Sequence, residues 1–209
     1  MLKFIVSLYV DDLIFTENNL VMIEKFKKDM MANFEMSDLG LKHYFLVMEV
    51  SQEEDGISCL QKKYAEDLLE KFNMLGCKSV ATPLVPNEKL RKEDGVKKLD
   101  ASTYRSLVGS LFYLCNTRPD ILFVTSLLSG FMQSPSQVHF GTAKRVLRYL
   151  LGTISFGISY EKRLESKLVG FTDSDWAGSI DDKRSTSGHC FGLGSGMFSW
   201  SSKKQGNVA

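Results

Sequence analysis

The sequence predicts an α+β fold in which β-hairpins and helices are followed by an antiparallel sheet. Two apolar runs flank an acidic pair near the start, apolar residues recur at helical spacing through the middle, and alternation begins near Phe156. Spacing of three to four residues between apolar positions is typical of helices, whereas alternation of apolar and polar residues is typical of strands. With 44% hydrophobic and 24% charged residues, the composition is typical of a globular protein.

The first element is the stretch from Phe4 to Phe15, whose apolar residues are interrupted by Asp11 and Asp12. This pattern predicts a buried β-hairpin with an acidic tip. Aspartate is a common turn residue, and a pair of carboxylates at a rigid tip is also a candidate metal site. The residues alone leave both interpretations open.

A helix should follow, because Asn18 and Asn19 are good caps and an apolar stripe ends near Phe34. Two apolar runs, 44–50 and 57–60, then flank an Asp-Gly turn and predict a second hairpin. A helix over 62–74 comes next. The segment 76–100 has prolines and many charges, so we interpret it as a linker or a long surface loop.

Three helices are predicted over 102–115, over 120–133, and from Ser134 to Gly152. Ser134 would cap the third helix, with Pro135 in its first turn. Three basic residues lie near the last turns of this helix: Lys144, Arg145 and Arg148. They form either a solvated face or a set of phosphate contacts.

The last part of the chain predicts three antiparallel strands. The first, 168–176, carries Asp173 and Asp175 on one face. The other two, 187–193 and 197–201, form a hairpin around a Gly-Ser-Gly turn. We interpret Asp175 as a solvent-facing strand residue beside Trp176.

Several classes of protein are disfavoured. No apolar run is long enough to span a membrane, and the short apolar N-terminus lacks a cleavage site, so we expect neither membrane association nor a signal peptide. Four cysteines and three histidines are scattered, which disfavours a zinc site. We expect reduced thiols and an intracellular, cytoplasmic location. The net charge of +1 does not indicate a nucleic-acid binder.

A series of motifs nevertheless occurs in a specific order. It begins with Tyr9-Val10-Asp11-Asp12 and continues through Tyr104-Arg105-Ser106-Leu107-Val108-Gly109, Thr117-Arg118-Pro119-Asp120-Ile121 and Lys144-Arg145-Val146-Leu147-Arg148-Tyr149. It ends with Thr172-Asp173-Ser174-Asp175-Trp176-Ala177-Gly178 and Ser199-Trp200-Ser201-Ser202-Lys203-Lys204-Gln205. The series resembles the polyproteins of copia-type LTR retrotransposons of plants, and the resemblance covers nearly the whole chain. The first motif looks like the Tyr-x-Asp-Asp box of reverse transcriptases.

The resemblance implies four regions. Residues 1–75 would be the C-terminal part of a truncated reverse-transcriptase palm, including a primer-grip-like hairpin over 44–61. Residues 76–100 would be a linker, and 101–155 the thumb and connection helices. Residues 156–209 would be the truncated N-terminal part of a ribonuclease H-like domain.

The resemblance also implies site residues and ligands. Asp11 and Asp12 would be palm catalytic residues and Asp173 the first ribonuclease H-like acid, all three binding Mg²⁺ or Mn²⁺. An RNA template and a DNA primer would be the partners, in a virus-like particle. The nucleic-acid-binding residues would be Tyr9, Met48, Glu49, Lys144, Arg145 and Arg148.

The same resemblance predicts an incomplete enzyme. The family's third palm carboxylate, the fingers and the later ribonuclease H acids are not found in the 209 residues, so we expect the metal sites to be incompletely filled and the chain to be inactive alone. One alternative is a non-catalytic RNA- or DNA-binding remnant. Another is an untranslated or unstable pseudogene product, whose exposed strand edges would favour self-association. Val47 stands where the family usually has glycine.

Overall fold

The computed structural model describes residues 4–41, 43–162 and 167–208. The predicted outer limits at residues 1 and 209 lie outside these ranges. The α+β class is confirmed: the described residues form helices and three antiparallel sheets. The chain divides into two compact units, Met1–Lys42 and His43–Ala209, which we call the small unit and the large unit.

The small unit contains strands β1 (Ile5–Tyr9) and β2 (Asp12–Thr16) and helix α1 (Leu20–Asn33). The strands pair antiparallel with Tyr9 opposite Asp12. Asn19 caps the helix, because its side chain accepts a hydrogen bond from the Val21 N–H. The rings of three phenylalanines lie 4.7–6.1 Å apart and join hairpin to helix: Phe4, Phe15 and Phe26.

The first hairpin forms as predicted, but its predicted burial is wrong. Every residue of β1 is exposed, Leu8 by 70%. No residue of α1 is fully buried either. A two-stranded sheet and one helix have too little facing surface to enclose a core. The apolar run therefore predicted the strands correctly but the burial of their side chains incorrectly.

The large unit begins with a four-stranded sheet of order β3-β4-β5-β6. Its strands are β3 (Tyr44–Phe45), β4 (Met48–Glu53), β5 (Gly56–Leu60) and β6 (Ile158–Glu161). The prediction of one continuous strand over 44–50 is wrong, because Leu46 and Val47 form a two-residue turn with φ of 48° and 66°. Positive φ at both turn positions defines a tight hairpin turn that normally selects glycine or asparagine.

The fourth strand of this sheet comes from a distant part of the chain. Ile158 in β6 pairs with Cys59 in β5. The backbones approach so closely that a Cβ atom on Gly56 would lie 2.2 Å from the Tyr160 carbonyl oxygen. Glycine is therefore required at this point of the sheet.

Five elements build the helical core of the large unit. They are α2 (Lys62–Lys71), α3 (Ala101–Leu114), a 3-10 turn (Pro119–Ile121), α4 (Leu122–Ser129) and α5 (Gln137–Gly152). Leucine side chains on α3, α4 and α5 are completely buried. The buried Tyr104 donates its hydroxyl to the Leu128 carbonyl at 2.9 Å, which satisfies the polar atom inside the core.

The predicted boundaries of three helices are wrong, the first being the helix over 62–74, which ends at Lys71. The second predicted helix starts as a 3-10 turn and ends at Ser129, short of residue 133. The third begins after Ser136, not Ser134. The Ser136 hydroxyl accepts from the His139 N–H, and the His139 ring accepts from the Ser136 N–H, a reciprocal capping box. Both serines fit the cap pattern, and His139 selects the second.

The third sheet has the order β7-β8-β9, with β7 (Leu168–Ser174), β8 (Thr186–Leu193) and β9 (Gly196–Lys204). Two long-range hydrogen bonds attach β9 to the rest of the large unit. The Trp200 indole donates to the Cys115 carbonyl at 2.9 Å, and the Tyr160 hydroxyl donates to the Met197 carbonyl at 2.7 Å.

The segment 76–100 contains no helix or strand, yet it lies on the helical core. Leu90 is buried, and Lys98 forms an isolated bridge with Ser136. No helix within the described ranges has the length and apolar character needed to cross a bilayer. The four cysteines are free thiols.

Candidate active site

Asp11 and Asp12 lie at the tip of the β1–β2 hairpin. Val10 and Asp11 form its two-residue turn, and of these two only Val10 has a positive φ, 51°. Positive φ at the first turn position is a conformation that favours glycine, so a β-branched residue is strained there. Both carboxylates are exposed to solvent. A strained, fixed turn therefore presents two adjacent anionic groups.

A carboxylate pair can supply oxygen ligands to a hard divalent cation. A two-ion site needs more than one such pair to offset the charge of two cations beside phosphate. Within the described ranges, no three His, Cys, Asp or Glu side chains are grouped so that they could hold a metal ion. The residues described here thus do not by themselves fit a two-ion centre.

Met48 and Glu49 begin strand β4. The Glu49 carboxylate accepts a hydrogen bond of 2.7 Å from the Lys63 N–H in the first turn of α2. A negative charge at a helix N-terminus is favourable because the free N–H groups and the helix dipole point toward it. Glu49 therefore attaches the hairpin to α2. The preceding turn is also held, since the Tyr113 hydroxyl donates to the Leu46 carbonyl at 2.7 Å.

The three basic residues of α5 have contacts within the chain. Arg145 donates to the carbonyl and the hydroxyl of Thr82 at 3.1 and 3.0 Å, and Arg148 donates to the Lys78 carbonyl at 2.7 Å. The Lys144 ammonium lies 5.0 Å from the Phe140 ring centre. The two arginines thus fasten the 78–82 segment to α5, a role that periodicity could not indicate. Their phosphate contacts stay a prediction.

Asp173 lies on β7 opposite Gly188 and is exposed. Asp175 faces solvent as predicted, but it follows the strand, which ends at Ser174, so the prediction of a strand residue is wrong. Its Oδ1 accepts from the Thr186 N–H at 2.9 Å and the Gly178 N–H at 3.3 Å. These bonds fix a loop on which Trp176 is 85% exposed.

The sequence reasoning missed a buried junction around Arg118. Its guanidinium forms a bidentate ion pair with Asp120, at N–O distances of 2.9 and 2.7 Å. It also donates hydrogen bonds to the carbonyl and hydroxyl oxygens of Thr153. The Tyr149 hydroxyl donates to the same carboxylate. Burial alone would raise the pKa of Asp120, but the bonds from Arg118 and Tyr149 hold it below the usual value. The Thr-Arg-Pro-Asp motif was the available signal.

The hairpin with its exposed Asp-Asp tip lies in the part of the chain that matches a known family of polymerases. Residues 1–86 match the family model described as "Reverse transcriptase (RNA-dependent DNA polymerase)". The predicted resemblance is thereby confirmed at the level of the class.

Relatives place the chain more narrowly. It is 41% identical over 96% of its length to the retrovirus-related Pol polyprotein from transposon RE1 of Arabidopsis thaliana. It is 37% identical over 98% of its length to that from transposon TNT 1-94 of Nicotiana tabacum. An uncharacterized mitochondrial protein of Arabidopsis thaliana is 39% identical, covering 97% of the chain and 84% of that protein.

The chain belongs to the reverse transcriptase family of copia-type retrotransposon Pol polyproteins. It spans 14% of the length of the RE1 polyprotein and 16% of that of TNT 1-94. No solved structure matches the chain significantly.

Proposed function

We propose that the chain is a part of a copia-type reverse transcriptase, comprising the back of the palm and the start of a ribonuclease H-like domain. In this proposal Asp11 and Asp12 are two of the acids that hold the catalytic Mg²⁺ or Mn²⁺ ions of RNA-directed DNA synthesis. The observation that carries the proposal is the Tyr-x-Asp-Asp sequence on a strained two-residue hairpin turn with both carboxylates exposed.

The same proposal holds that the 209-residue chain does not polymerise alone. Bound divalent ions would activate the primer hydroxyl and stabilise the leaving group. Asp11 and Asp12 contribute only two carboxylates, and no group of three metal-capable side chains exists in the part of the chain that the structure describes. The strained Val10 turn sets where the two carboxylates stand.

The nucleic-acid contacts proposed here lie on the β3–β5 region and on α5. Met48 is the first residue of β4, and Glu49 fixes that strand to α2. Lys144 is the exposed basic residue of α5 and keeps its ammonium outside any ion pair found among the described residues. Contacts to phosphate by such groups release counterions, so binding of an RNA–DNA hybrid should weaken with salt.

The ribonuclease H-like assignment rests on β7, β8 and β9. Three antiparallel strands in sequential order carry Asp173 on the first of them, where it is exposed. Under the proposal, Asp173 is the first acid of a metal-binding group. The Ser174 N–H donates to the Asp173 Oδ1 at 2.9 Å, which orients the carboxylate at the end of the strand.

Primer extension tests the catalytic part of the proposal. The chain is incubated with an RNA template, a DNA primer, nucleotides and Mg²⁺ or Mn²⁺, beside Asp11→Asn. Asp55→Asn is the matched control, because Asp55 also lies at an exposed hairpin tip. We expect no extension by any of the three. Extension that is lost in Asp11→Asn and kept in Asp55→Asn would show that the chain is a complete polymerase and overturn its proposed inactivity.

Hybrid binding tests the alternative of a non-catalytic binding module. An RNA–DNA hybrid is titrated at low and high salt against the chain, against Lys144→Gln and against Lys89→Gln, an exposed control on the 76–100 segment. The proposal expects weak binding that falls with salt and is reduced only by Lys144→Gln. Absence of binding at both salt concentrations would refute the proposal that this chain binds nucleic acid.

A further inference from the structure

His139 is a buried titratable residue that the polymerase chemistry does not use. It lies in the first turn of α5 with no exposed surface. Its Nδ1 is 3.0 Å from the Ser136 N, and its Nε2 is 2.9 Å from the Arg91 carbonyl oxygen. A backbone N–H can only donate and a carbonyl can only accept. The ring is therefore neutral, with its single proton on Nε2.

The ring joins α5 to the segment Arg91–Lys98, which we call the strap. The strap is fastened around the same point by the Gln137 N–H, which donates to the Lys97 carbonyl at 3.2 Å. The Ser136 hydroxyl also donates to the Asp94 carboxylate. At its other end, the Lys92 N–H donates to the Asp181 carboxylate at 3.1 Å, which connects the strap to the β7–β8 loop.

The charges facing His139 act in opposite directions. Burial lowers the pKa of the imidazole most, and Lys98 adds to this effect. The Arg91 carbonyl and the carboxylates of Asp94 and Asp181 raise it. The net pKa lies below the ordinary value of 6.5. On its remaining side, the ring stacks on Phe131 at 4.0 Å between centres, a neighbour that cannot stabilise charge through a hydrogen bond.

We propose that His139 is a proton-sensitive latch that holds the strap on the N-terminus of α5. A proton from solvent would occupy the Nδ1 lone pair, and the Ser136 N–H would then face a second donor. The capping box then opens and the strap leaves the helix. The hydrogen bond that connects the strap to the β7–β8 loop is broken at the same time. The inference is independent of the proposed function, because it concerns neither the acidic hairpin nor any nucleic-acid contact.

The direction of the pH response follows from linkage. The opened latch exposes an ordinary imidazole, which binds a proton near pH 6.5, whereas the closed latch binds it only at lower pH. The closed state is therefore fully favoured above pH 6.5 and loses stability as pH falls toward the pKa of the closed state. One linked proton gives at most a tenfold change in the opening constant per pH unit.

Amide hydrogen exchange between pH 7.5 and 5.0, corrected for intrinsic exchange rates, measures this opening. The amides of Lys92, Leu99 and Gln137 are the reporters, because the hydrogen bonds of Lys92 and Gln137 involve the strap and that of Leu99, to the Pro135 carbonyl, adjoins it. We expect their protection factors to fall by up to tenfold per pH unit below 6.5, while amides inside α3 keep theirs. Constant protection at the three reporters would overturn the proposal.

His139→Gln is the decisive variant, because glutamine at this position of a capping box accepts the same N–H without titrating. We expect it to keep the strap closed at every pH. His189→Gln, on the exposed side of β8, is the matched control and should keep the pH response. A response that persists in His139→Gln would assign it to another group and refute the latch.

Asp94→Asn keeps the test decisive if His139→Gln does not fold. Removing this carboxylate takes away a charge that favours the protonated ring. The protection factors should then continue to fall below the pH at which the unsubstituted chain levels off. An unchanged profile in Asp94→Asn would contradict a latch built on His139.

Discussion

Two helices of equal length pack differently in the small unit and in the helical core of the large unit. Helix α1 has fourteen residues and none is fully buried, whereas α3 has the same length and buries five side chains. In the small unit, three phenylalanine rings provide the main packing. The comparison teaches that apolar periodicity predicts a helix but does not predict what covers it.

The difference should appear in stability. Buried apolar area is the main stabilising term, and a hairpin with one helix provides little of it. Cooperative unfolding of this chain should therefore report the large unit. The following substitutions test that expectation by making equivalent changes in each unit.

The largest effect is expected at the ion pairs. Arg118→Ala removes a buried guanidinium with its four hydrogen bonds to Asp120 and Thr153, and it should lower the unfolding free energy by about 3–5 kcal/mol in urea titrations. Asp38→Asn removes the 2.9 Å pair with Lys27 in the small unit, where the Lys27 side chain is 23% exposed against 3% for Arg118, and should leave the urea midpoint unchanged. Equal shifts of the urea midpoint in both variants would show that the two units contribute equally to the cooperative transition.

Leucine truncation comes next. Leu147→Ala creates a cavity among the completely buried side chains of α5 and should cost about 2–4 kcal/mol. Leu8→Ala removes a side chain that is 70% exposed on β1 and should cost less than about 0.5 kcal/mol. Urea unfolding followed by circular dichroism measures both. A large loss in Leu8→Ala would mean that the small unit contributes to the cooperative core.

Backbone strain gives a smaller effect of opposite sign. Val47→Gly relieves a valine at φ 66° in the β3–β4 turn and should stabilise the large unit by about 1 kcal/mol. Val10→Gly relieves the equivalent strain in the small unit at φ 51°. It should not change the midpoint of the cooperative unfolding transition, which reports the large unit. Destabilisation by Val47→Gly would show that the loss of the valine side chain outweighs the relief.

Acid titration should give the smallest effect. The pKa of Asp120 is held below its usual value of 3.8, so its contribution is complete above that value and is lost as pH falls through the lower pKa of the folded state. Asp120→Asn should flatten the decline in stability of the large unit between pH 5 and 3. Asp55→Asn, at an exposed tip, should leave the decline unchanged, and flattening in both would point to a general charge effect.

Local patterns predicted the elements that depend on local interactions. The caps, turns and apolar stripes of α1, α3 and α5 could be read to within a few residues, because capping and periodicity are properties of neighbouring residues. The choice between Ser134 and Ser136 depended on His139 three residues further on. The break at Leu46 and Val47 depended on positive φ, which propensity does not indicate for aliphatic residues.

The contacts between distant segments were not predictable in this way. Nothing in residues 158–161 indicates pairing with β5, and nothing in Arg145 or Arg148 indicates that each holds a loop carbonyl. Of the candidate site, the Asp11–Asp12 hairpin was found from sequence because it is local. The Arg118 junction was not, because Tyr149 and Thr153, which complete it around Arg118 and Asp120, come from a distant part of the chain.

The pairing of β6 with β5 also affects the order of folding. Strand β5 ends at Leu60, and its partner begins only at Ile158, after all the core helices. During synthesis, the open edge of β5 must wait until α2 to α5 have emerged, and closing such a long segment is slow compared with helix formation. A nascent chain stopped before residue 158 should therefore expose that edge, and ribosome-stalled intermediates of this length should bind chaperones that recognise extended strands.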